Sequence, residues 1–388
     1  MKKISKILVI ITSIIIVTGT SSFLVYYYIF KDNASFSPCI DKPFTSYPVD
    51  LDRLQNIVPL GNLNPPGHTY PTDHMYFFTD TMIYPDGFEI YAPGNITMTR
   101  ISKITYNPPQ GTTSEDYTID FSVCKHVTGR FGHINNLSIA LLDLTGEFGE
   151  EYGDQVESYE IDGRIFTSYK KSITLNLLSG QLLGRAGQGG GYDFWLKDDR
   201  VELIWVNNDI SRNFQHTVCP LDYFTDALKT NLVAKLGGWM GLDPPGYCGR
   251  IDFDVPNTAQ GIWTTVGYTG QNPEEFGLAL VYNNFNASMA AISIGNAGNS
   301  TWDSRVYDFS PRNSGNLNRN FSQVTNDGAI YYYLCNGFEF GLIYTKAILI
   351  KMTGDRSLLL QFVDRNGLEI PSDPTTLFDE ELAVAYYR

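Results

Sequence analysis

The sequence predicts a mostly β chain with two β-rich domains, a transmembrane helix at the N-terminus and one helix near the domain boundary. Three observations predict this: a long uncharged run at the start, many short β-branched and aromatic segments between turns, and one segment with helical periodicity. The 388 residues include 35 Gly, 19 Pro, 23 Phe and 25 Tyr, a composition that favours short strands joined by turns. A hydrophobic content of 43% supports large cores and is too high for a disordered chain.

The N-terminal run, Leu8 to Phe30, contains no charged residue and is 23 residues long. As a helix it would extend about 34 Å, which is enough to cross a hydrocarbon layer of about 30 Å. Three lysines precede it, so residues 1–30 are predicted to be a signal anchor with the rest of the chain outside the cytoplasm. The alternative is a signal peptide cleaved near Thr18–Thr20, which would make the protein secreted. Both alternatives export the remaining chain.

Two further patterns agree with export. Five cysteines occur without a Cys-x-x-Cys motif, which disfavours zinc ribbons and thioredoxin chemistry. One or two disulfides are predicted, with Cys219 and Cys248 as a candidate pair because they flank one helical segment; buried free thiols are the alternative. The sequence would also make an exported chain a glycoprotein through six Asn-x-Ser/Thr acceptors, at Asn33, Asn95, Asn136, Asn286, Asn299 and Asn320.

The charge balance restricts the partners. Forty-two acidic residues against 28 basic ones give a net charge of −14, and such a field repels phosphate backbones. We therefore expect no nucleic-acid partner. The expected partners are the membrane, through the N-terminal helix, and a peptide, glycan or protein of the cell surface.

The chain divides into a tether at residues 31–50, a first domain at 51–214 and a second β-rich domain at 215–388. The clearest helix is predicted from Pro220 to Leu236, where Gly237 would end it. Near the end of the chain, Lys346–Met352 and Ser357–Val363 are apolar runs on either side of a turn, which predicts a hairpin.

One loop carries the residues best suited to chemistry. His68, Asp73 and His74 lie within seven residues of a proline-bounded segment, and imidazole nitrogens with carboxylate oxygens are ligands that zinc accepts. A catalytic site would also need a distant residue, for which His133 is the best candidate. The alternative is that these side chains only hydrogen-bond the backbone of their own turns.

The stretch from about residue 55 to 200 resembles a degenerate copy of the lysostaphin-type zinc endopeptidases, which cut peptide cross-links in cell walls. His68 and Asp73 resemble that family's Gly-x-x-His…Asp zinc-binding segment, although they are one residue further apart. The segment 91–96 (Tyr-Ala-Pro-Gly-Asn-Ile) is similar to its Ala-Pro-x-Gly-x-Val turn. The segment 131–134 (Phe-Gly-His-Ile) is similar to the segment that carries a catalytic histidine, here His133. Residues 178–190 resemble the Gly-Gln-x-Ile-Gly-x-x-Gly turn before the active-site strand.

The sequence departs from the family at the next step. Where the family has His-x-His, residues 192–195 read Tyr-Asp-Phe-Trp, so a catalytic base and a zinc ligand are both missing. The resemblance therefore implies a lysostaphin-like β-sheet domain that has lost catalysis, needs no cofactor, and binds an envelope peptide or glycan or serves as a scaffold. The alternative is a working zinc metalloendopeptidase, in which His68, Asp73, His74 and Asp193 supply the ligands and His133 assists catalysis.

The second domain contains no recognisable catalytic motif. Its aromatic residues could form a carbohydrate-stacking platform, which would make the protein a glycan adhesin, but aromatic residues in β domains more often belong to the core. The residues concerned are Trp239, Trp263, Trp302 and the run Tyr331–Tyr333.

Overall fold

The computed structural model describes residues 38–106, 114–161, 164–188, 191–237, 242–265, 273–296, 304–336, 343–364 and 374–388. Strands hold 45% of the residues and helices 11%, which confirms the mostly β prediction. The strands form two antiparallel units, an open sheet and a closed barrel. Within the described ranges, no helix combines the length and apolar character needed to cross a membrane. The run Leu8–Phe30 lies outside those ranges.

The first unit is an eleven-stranded sheet whose main path runs β1-β2-β10-β6-β5-β4-β8-β7. Strand β11 pairs with β10, and β9 joins β3 to β6. The strands are β1 (Leu54–Val58), β2 (Met75–Thr79), β3 (Phe88–Tyr91), β4 (Ile96–Tyr106), β5 (Ser114–Ser122), β6 (Val127–Leu137), β7 (Gln155–Ile161), β8 (Arg164–Leu177), β9 (Leu182–Ala186), β10 (Gly191–Asp198) and β11 (Thr217–Val218). The short helices around the sheet are α1 (Ile139–Thr145), α2 (Asn208–Ser211) and α3 (Asp226–Val233), with 3₁₀ turns at Glu150–Tyr152 and Pro220–Tyr223.

Strand β10 lies between β2 and β6, and its side chains alternate between the two faces of the sheet. Tyr192, Phe194 and Leu196 are fully buried in the core of this domain. The residues between them, Asp193 and Trp195, face the opposite side together with Lys197. The second face of the sheet therefore carries a row of polar and aromatic side chains.

The start of the described chain is part of the first domain and is not a tether. Cys39 forms a disulfide with Cys124, while Phe44 and Val49 belong to the core, with 0% and 1% of their surface exposed. The tether predicted for residues 31–50 is wrong for this portion because its apolar side chains fill the sheet's core. The predicted Cys219–Cys248 pair is confirmed as a second disulfide.

The segment predicted as a helix from Pro220 to Leu236 is interrupted. The 3₁₀ turn Pro220–Tyr223 is followed by Phe224, which has an extended backbone and is buried. Helix α3 begins after this residue, at Asp226. Because Phe224 and Leu232 pack into the first domain's core, the boundary predicted near residue 215 lies too early. The regular strands of the second unit begin at Gly261.

The second unit is a closed antiparallel barrel of eight strands in sequence order, in which the first strand also pairs with the last. The strands are β12 (Gly261–Thr265), β13 (Gly277–Tyr282), β14 (Ala290–Ile294), β15 (Arg305–Phe309), β16 (Tyr331–Asn336), β17 (Ile343–Gly354), β18 (Ser357–Asp364) and β19 (Val384–Tyr387). Further 3₁₀ turns lie at Phe321–Gln323 and Pro374–Leu377. The predicted hairpin is confirmed, since β17 pairs with β18 around a turn in which Gly354 faces Ser357.

Side chains fill the barrel's interior, as expected for eight strands. Trp263, Tyr331 and Tyr333 are 0%, 5% and 0% exposed, so the carbohydrate-platform hypothesis is wrong for them. Trp239 and Trp302 lie outside the described residues. On the outer wall, Ile262 and Ala279 join the first domain's core. This shared packing holds the barrel against the sheet domain.

Candidate functional site

A cavity of about 870 Å³ lies on the polar face of the sheet; we call it the central cavity. Its floor is formed by strands β10, β6, β5 and β4, and its rim by the loop before β2. All five residues that the sequence singled out line it: His68, Asp73, His74, His133 and Asp193. The fold thus brings together residues that are up to 125 positions apart (193 − 68).

His68 is placed by a tight turn. The backbone N–H groups of Asn64 and His68 each donate to the other's carbonyl, which closes a loop that contains the cis peptide bond between Pro65 and Pro66. The ring centroids of His68 and His74 are 5.3 Å apart. Burial, together with the nearby His74, lowers the pKa of His68 to about 4. At neutral pH this imidazole is therefore uncharged.

His74 stands at the start of β2 between two carboxylates. Its Nδ1 lies 3.1 Å from Asp73 Oδ1, and its Nε2 lies 3.7 Å from Asp193 Oδ2. Burial alone would raise the pKa of Asp73, but the hydrogen bond with His74 and the charge of Lys197 hold it below its usual range. His74 Nε2 and Asp193 Oδ1 are both buried and have no hydrogen-bond partner. Buried polar atoms are normally paired, and these two atoms in the residues that line the cavity are exceptions.

Asp193 owes its position to the register of β10. It lies opposite Tyr76 of β2 and Gly132 of β6. Gly132 has no side chain next to this carboxylate; a Cβ there would be 3.4 Å from Asp193 Oδ2. Only 6% of Asp193 is exposed, and burial raises the pKa of its carboxyl group.

His133 is turned toward Asp193 by a β-bulge. Tyr117 pairs with Ile134 and Ile119 with Phe131, so two residues of β6 oppose one of β5. The second of the two, His133, has a φ of 58°, a left-handed conformation that is uncommon for residues other than glycine. Bulges and strained backbone often re-aim a side chain at a functional site.

The imidazole of His133 lies between two carboxylates. Nδ1 is 2.7 Å from Asp116 Oδ2, and Nε2 is 3.3 Å from Asp193 Oδ2. The hydrogen bond to Asp116 raises the pKa of His133 to about 9, with a further contribution from Asp193. The side chain is therefore a cation at neutral pH, although 60% of it is exposed.

Replacing Asp116 with asparagine is expected to bring the pKa of His133 down from about 9 toward its ordinary value, because the strongest stabiliser of the charged ring is lost. An NMR titration of the His133 ring protons measures this shift. Since the folded pKa exceeds the ordinary 6.5, the ion pair stabilises the fold fully below pH 6.5 and loses this effect as the pH rises through 9. The variant should show a weaker decline over that window. Asp199→Asn, next to His126, is the control, and an equal shift of His133 in it would contradict the assignment.

Sequence reasoning missed several residues of the cavity floor. Trp195 follows Asp193 by two positions, and its ring lies 5.1 Å from that of His74. The Arg130 guanidinium stacks on Trp195 at 5.0 Å and also pairs with Asp120. Arg100 Nη2 lies 2.5 Å from the same carboxylate. In the sequence, Asp193, Trp195 and Lys197 alternate with Tyr192, Phe194 and Leu196. This alternation was the signal that could have revealed the polar face of β10.

A zinc site would need at least three protein ligands around one point. His74 Nε2 and Asp193 Oδ2, 3.7 Å apart, are near the separation of about 3.4 Å expected for two ligands of one tetrahedral zinc. Across the part of the chain that the structure describes, however, no group of three His, Cys, Asp or Glu side chains is arranged to hold a metal ion. His74 and Asp193 therefore fit as two zinc ligands, but the described residues place no third ligand beside them.

Comparisons with known proteins do not place the chain in a family. No family model, curated protein or solved structure matches it.

Proposed function

We propose that this is a membrane-anchored, extracytoplasmic cell-surface protein whose central cavity binds a peptide or glycan of the cell envelope without hydrolysing it. The observation that carries this proposal is the state of His133. A general base must accept a proton, but His133 lies between Asp116 and Asp193, and mainly the hydrogen bond to Asp116 raises its pKa to about 9, which favours the protonated ring at neutral pH. The residue that resembles the family's catalytic histidine is thus committed to ion pairs.

The cavity has the features of a binding site. Its volume of about 870 Å³ is within the range usual for ligand pockets. The part-exposed Trp195 side chain lines the cavity next to His74 and Arg130, and its exposed apolar surface can contact a sugar or a side chain. His74 and Asp193 also line the cavity, and each has a polar atom without a hydrogen-bond partner.

The resemblance to lysostaphin-type endopeptidases supports the same proposal. The resemblance covers the sheet domain that contains the cavity. At residues 192–195, however, the chain lacks the family's His-x-His pair. A domain that resembles this family but lacks its catalytic residues would keep a groove suited to envelope peptides. A surface protein that presents such a segment would be an equally suitable partner.

One observation favours a second candidate, a zinc metalloendopeptidase. His74 Nε2 and Asp193 Oδ1 are buried and unpaired, and a metal ion that drew His68 into a third ligand position would satisfy them. Metal analysis of the purified full chain decides between the candidates. About one zinc per chain, lost in Asp193→Asn, would support the enzyme, whereas a metal-free, folded chain would support binding alone.

The binding proposal is tested with the purified full chain and a panel of envelope peptides and glycans. We expect capture of at least one class with no cleavage products detected by mass spectrometry. Trp195→Ala should weaken that capture about tenfold, or about 1.4 kcal/mol. The control is Tyr152→Ala, an exposed aromatic outside the cavity, which should bind as the wild type does. Peptide release that a chelator abolishes would contradict the proposal.

A further inference from the structure

A row of side chains crosses the floor of the central cavity over the neighbouring strands β10, β6, β5, β4 and β8; we call it the arginine ladder. Each member lies directly opposite the next across a pair of strands, in the order Trp195, Arg130, Asp120, Arg100 and Ser172. All five line the cavity. The register of the sheet therefore places a guanidinium group on each side of one carboxylate.

Both oxygens of the Asp120 carboxylate are bound by the two arginines. Arg130 Nε pairs with Oδ1, and Arg100 pairs with Oδ2 through Nε and Nη2. Nη1 and Nη2 of Arg130 have no hydrogen-bond partner in the part of the chain that the structure describes. Because arginine keeps its proton at neutral pH, the ladder carries two positive charges and one negative charge.

A second pair of arginines that share one aspartate is balanced differently. Arg53 and Arg185 both pair with Asp86. Each of these guanidinium groups also has a second carboxylate, since Arg53 Nε lies 3.7 Å from Asp50 Oδ2 and Arg185 Nη1 lies 3.6 Å from Glu89 Oε1. In the ladder, no second carboxylate of the described residues pairs with either guanidinium group. The surplus positive charge is therefore a feature of the cavity.

The other carboxyl groups that line the cavity do not neutralise this surplus. Asp73 pairs with Lys197, whose Nζ lies 3.7 Å from its Oδ2. Asp193 lies 3.3 Å from Nε2 of the His133 ring. Glu274 reaches the cavity from the barrel, and burial raises its pKa to about 8, so that it is mostly uncharged at neutral pH. The guanidinium groups of the ladder thus remain the place where the cavity can accept an anion.

We propose that the arginine ladder is a subsite for a carboxylate group, so that the ligand of the central cavity is a peptide that places one carboxylate against Arg130 and Arg100. This inference rests on the proposed binding function. A planar guanidinium group presents paired N–H donors that match the two oxygens of a carboxylate. Trp195, partly exposed beside Arg130, can contact an apolar side chain of the same peptide.

The charge of the whole chain favours a ligand with a single carboxylate. A polyanionic glycan would bring many negative charges to a protein whose net charge is −14, and the two would repel each other. The ladder offers one surplus positive charge, which one carboxylate neutralises. In a peptide, this carboxylate is either the C-terminus or the side chain of an Asp or Glu residue.

The test uses three hexapeptide libraries, all N-acetylated and free of Lys, Arg and His. The neutral library has amidated C-termini and no acidic residue, the second has free C-terminal carboxylates, and the third has amidated C-termini and one Asp or Glu. Equal amounts are offered to the immobilised full chain, and captured peptides are quantified by mass spectrometry against standards of each form. We expect about tenfold more capture of at least one carboxylate library than of the neutral library. The enriched library identifies the source of the carboxylate.

Two variants test the role of the ladder, each after circular dichroism has shown it to be folded. Arg130→Gln should bring the capture ratio close to one, because the ladder then carries one positive and one negative charge. Arg100→Gln should lower the ratio as well, so the test does not depend on the folding of a single variant. The matched control is Arg185→Gln, which also removes one of two arginines from a shared aspartate, but outside the cavity lining; it should keep the wild-type ratio.

Equal capture of the three libraries by the wild type would overturn the carboxylate subsite and leave the binding function intact. A wild-type ratio in folded Arg130→Gln and Arg100→Gln would do the same, as would capture of glycans alone. Capture of neither peptides nor glycans would contradict the binding function itself.

Discussion

Replacing Phe194 with alanine is expected to lower the free energy of unfolding of the sheet domain by about 3–5 kcal/mol. Phe194 is fully buried on the central strand β10. Its ring centroid lies 5.0 Å from that of Phe131 and 6.0 Å from those of Phe44 and Phe77. Truncation to alanine would remove the apolar contacts with these three rings and leave a cavity in the core of the sheet domain. Denaturant unfolding followed by fluorescence measures the loss.

The neighbouring residue provides the control. Trp195 lies on the other face of the same strand, where it is only partly buried, so Trp195→Ala should cost less than half as much stability while weakening ligand capture. If the two variants lost equal stability, the assignment of β10's two faces to core and cavity would be contradicted.

Arg388→Ala is expected to destabilise the barrel by about 3 kcal/mol or more. The Arg388 side chain is buried, with 4% of the residue exposed, and it donates to the backbone carbonyls of Val255, Thr258 and Gln260. Its guanidinium also stacks on Trp263 at 4.3 Å. Removing the donor would leave several buried acceptors unpaired, each at a cost of about 1–3 kcal/mol when no water replaces it. Chemical denaturation with a near-UV signal from the barrel's aromatic residues measures the change.

Lys351→Ala provides the comparison for a charge on the barrel surface. Lys351 Nζ pairs with Glu380 Oε1 at 2.6 Å, but the Glu380 side chain is 61% exposed, and exposed pairs contribute about 1 kcal/mol or less. A barrel that tolerated Arg388→Ala as well as it tolerates Lys351→Ala would show that the C-terminal guanidinium does not hold the barrel wall together.

Local patterns in the sequence predicted several elements of the fold. The β17–β18 hairpin followed from two apolar runs around Gly354, and the Cys219–Cys248 bond from the segment between the two cysteines. Closure of the barrel could not be predicted this way, because the pairing of β12 with β19 joins residues more than 100 positions apart. The burial of Trp263 depends on that closure, so its aromatic character alone could not distinguish core from surface.

The candidate site also combines residues that local sequence patterns reveal with residues that only the folded chain brings together. His68, Asp73 and His74 were recognisable because they are close in sequence. His133 was the best distant candidate and also matched the family resemblance, and Asp193 was found through that resemblance. Asp116 could not be found, since only the bulge at His133 brings that ring to its carboxylate. Glu274 carried no local signal either, because it reaches the cavity through the packing of one domain on another.

The Cys39–Cys124 bond would limit how far the sheet domain could stand from the N-terminal anchor that the sequence predicts. A free tether over residues 31–50 would let the sheet domain range about 70 Å from its anchor. The covalent link at Cys39 leaves nine residue steps after Phe30, which span at most about 32 Å. If Leu8–Phe30 were held in a bilayer, as the sequence predicts, Cys39 would stay within that distance of the lipid surface, and the sheet domain would be attached close to the membrane.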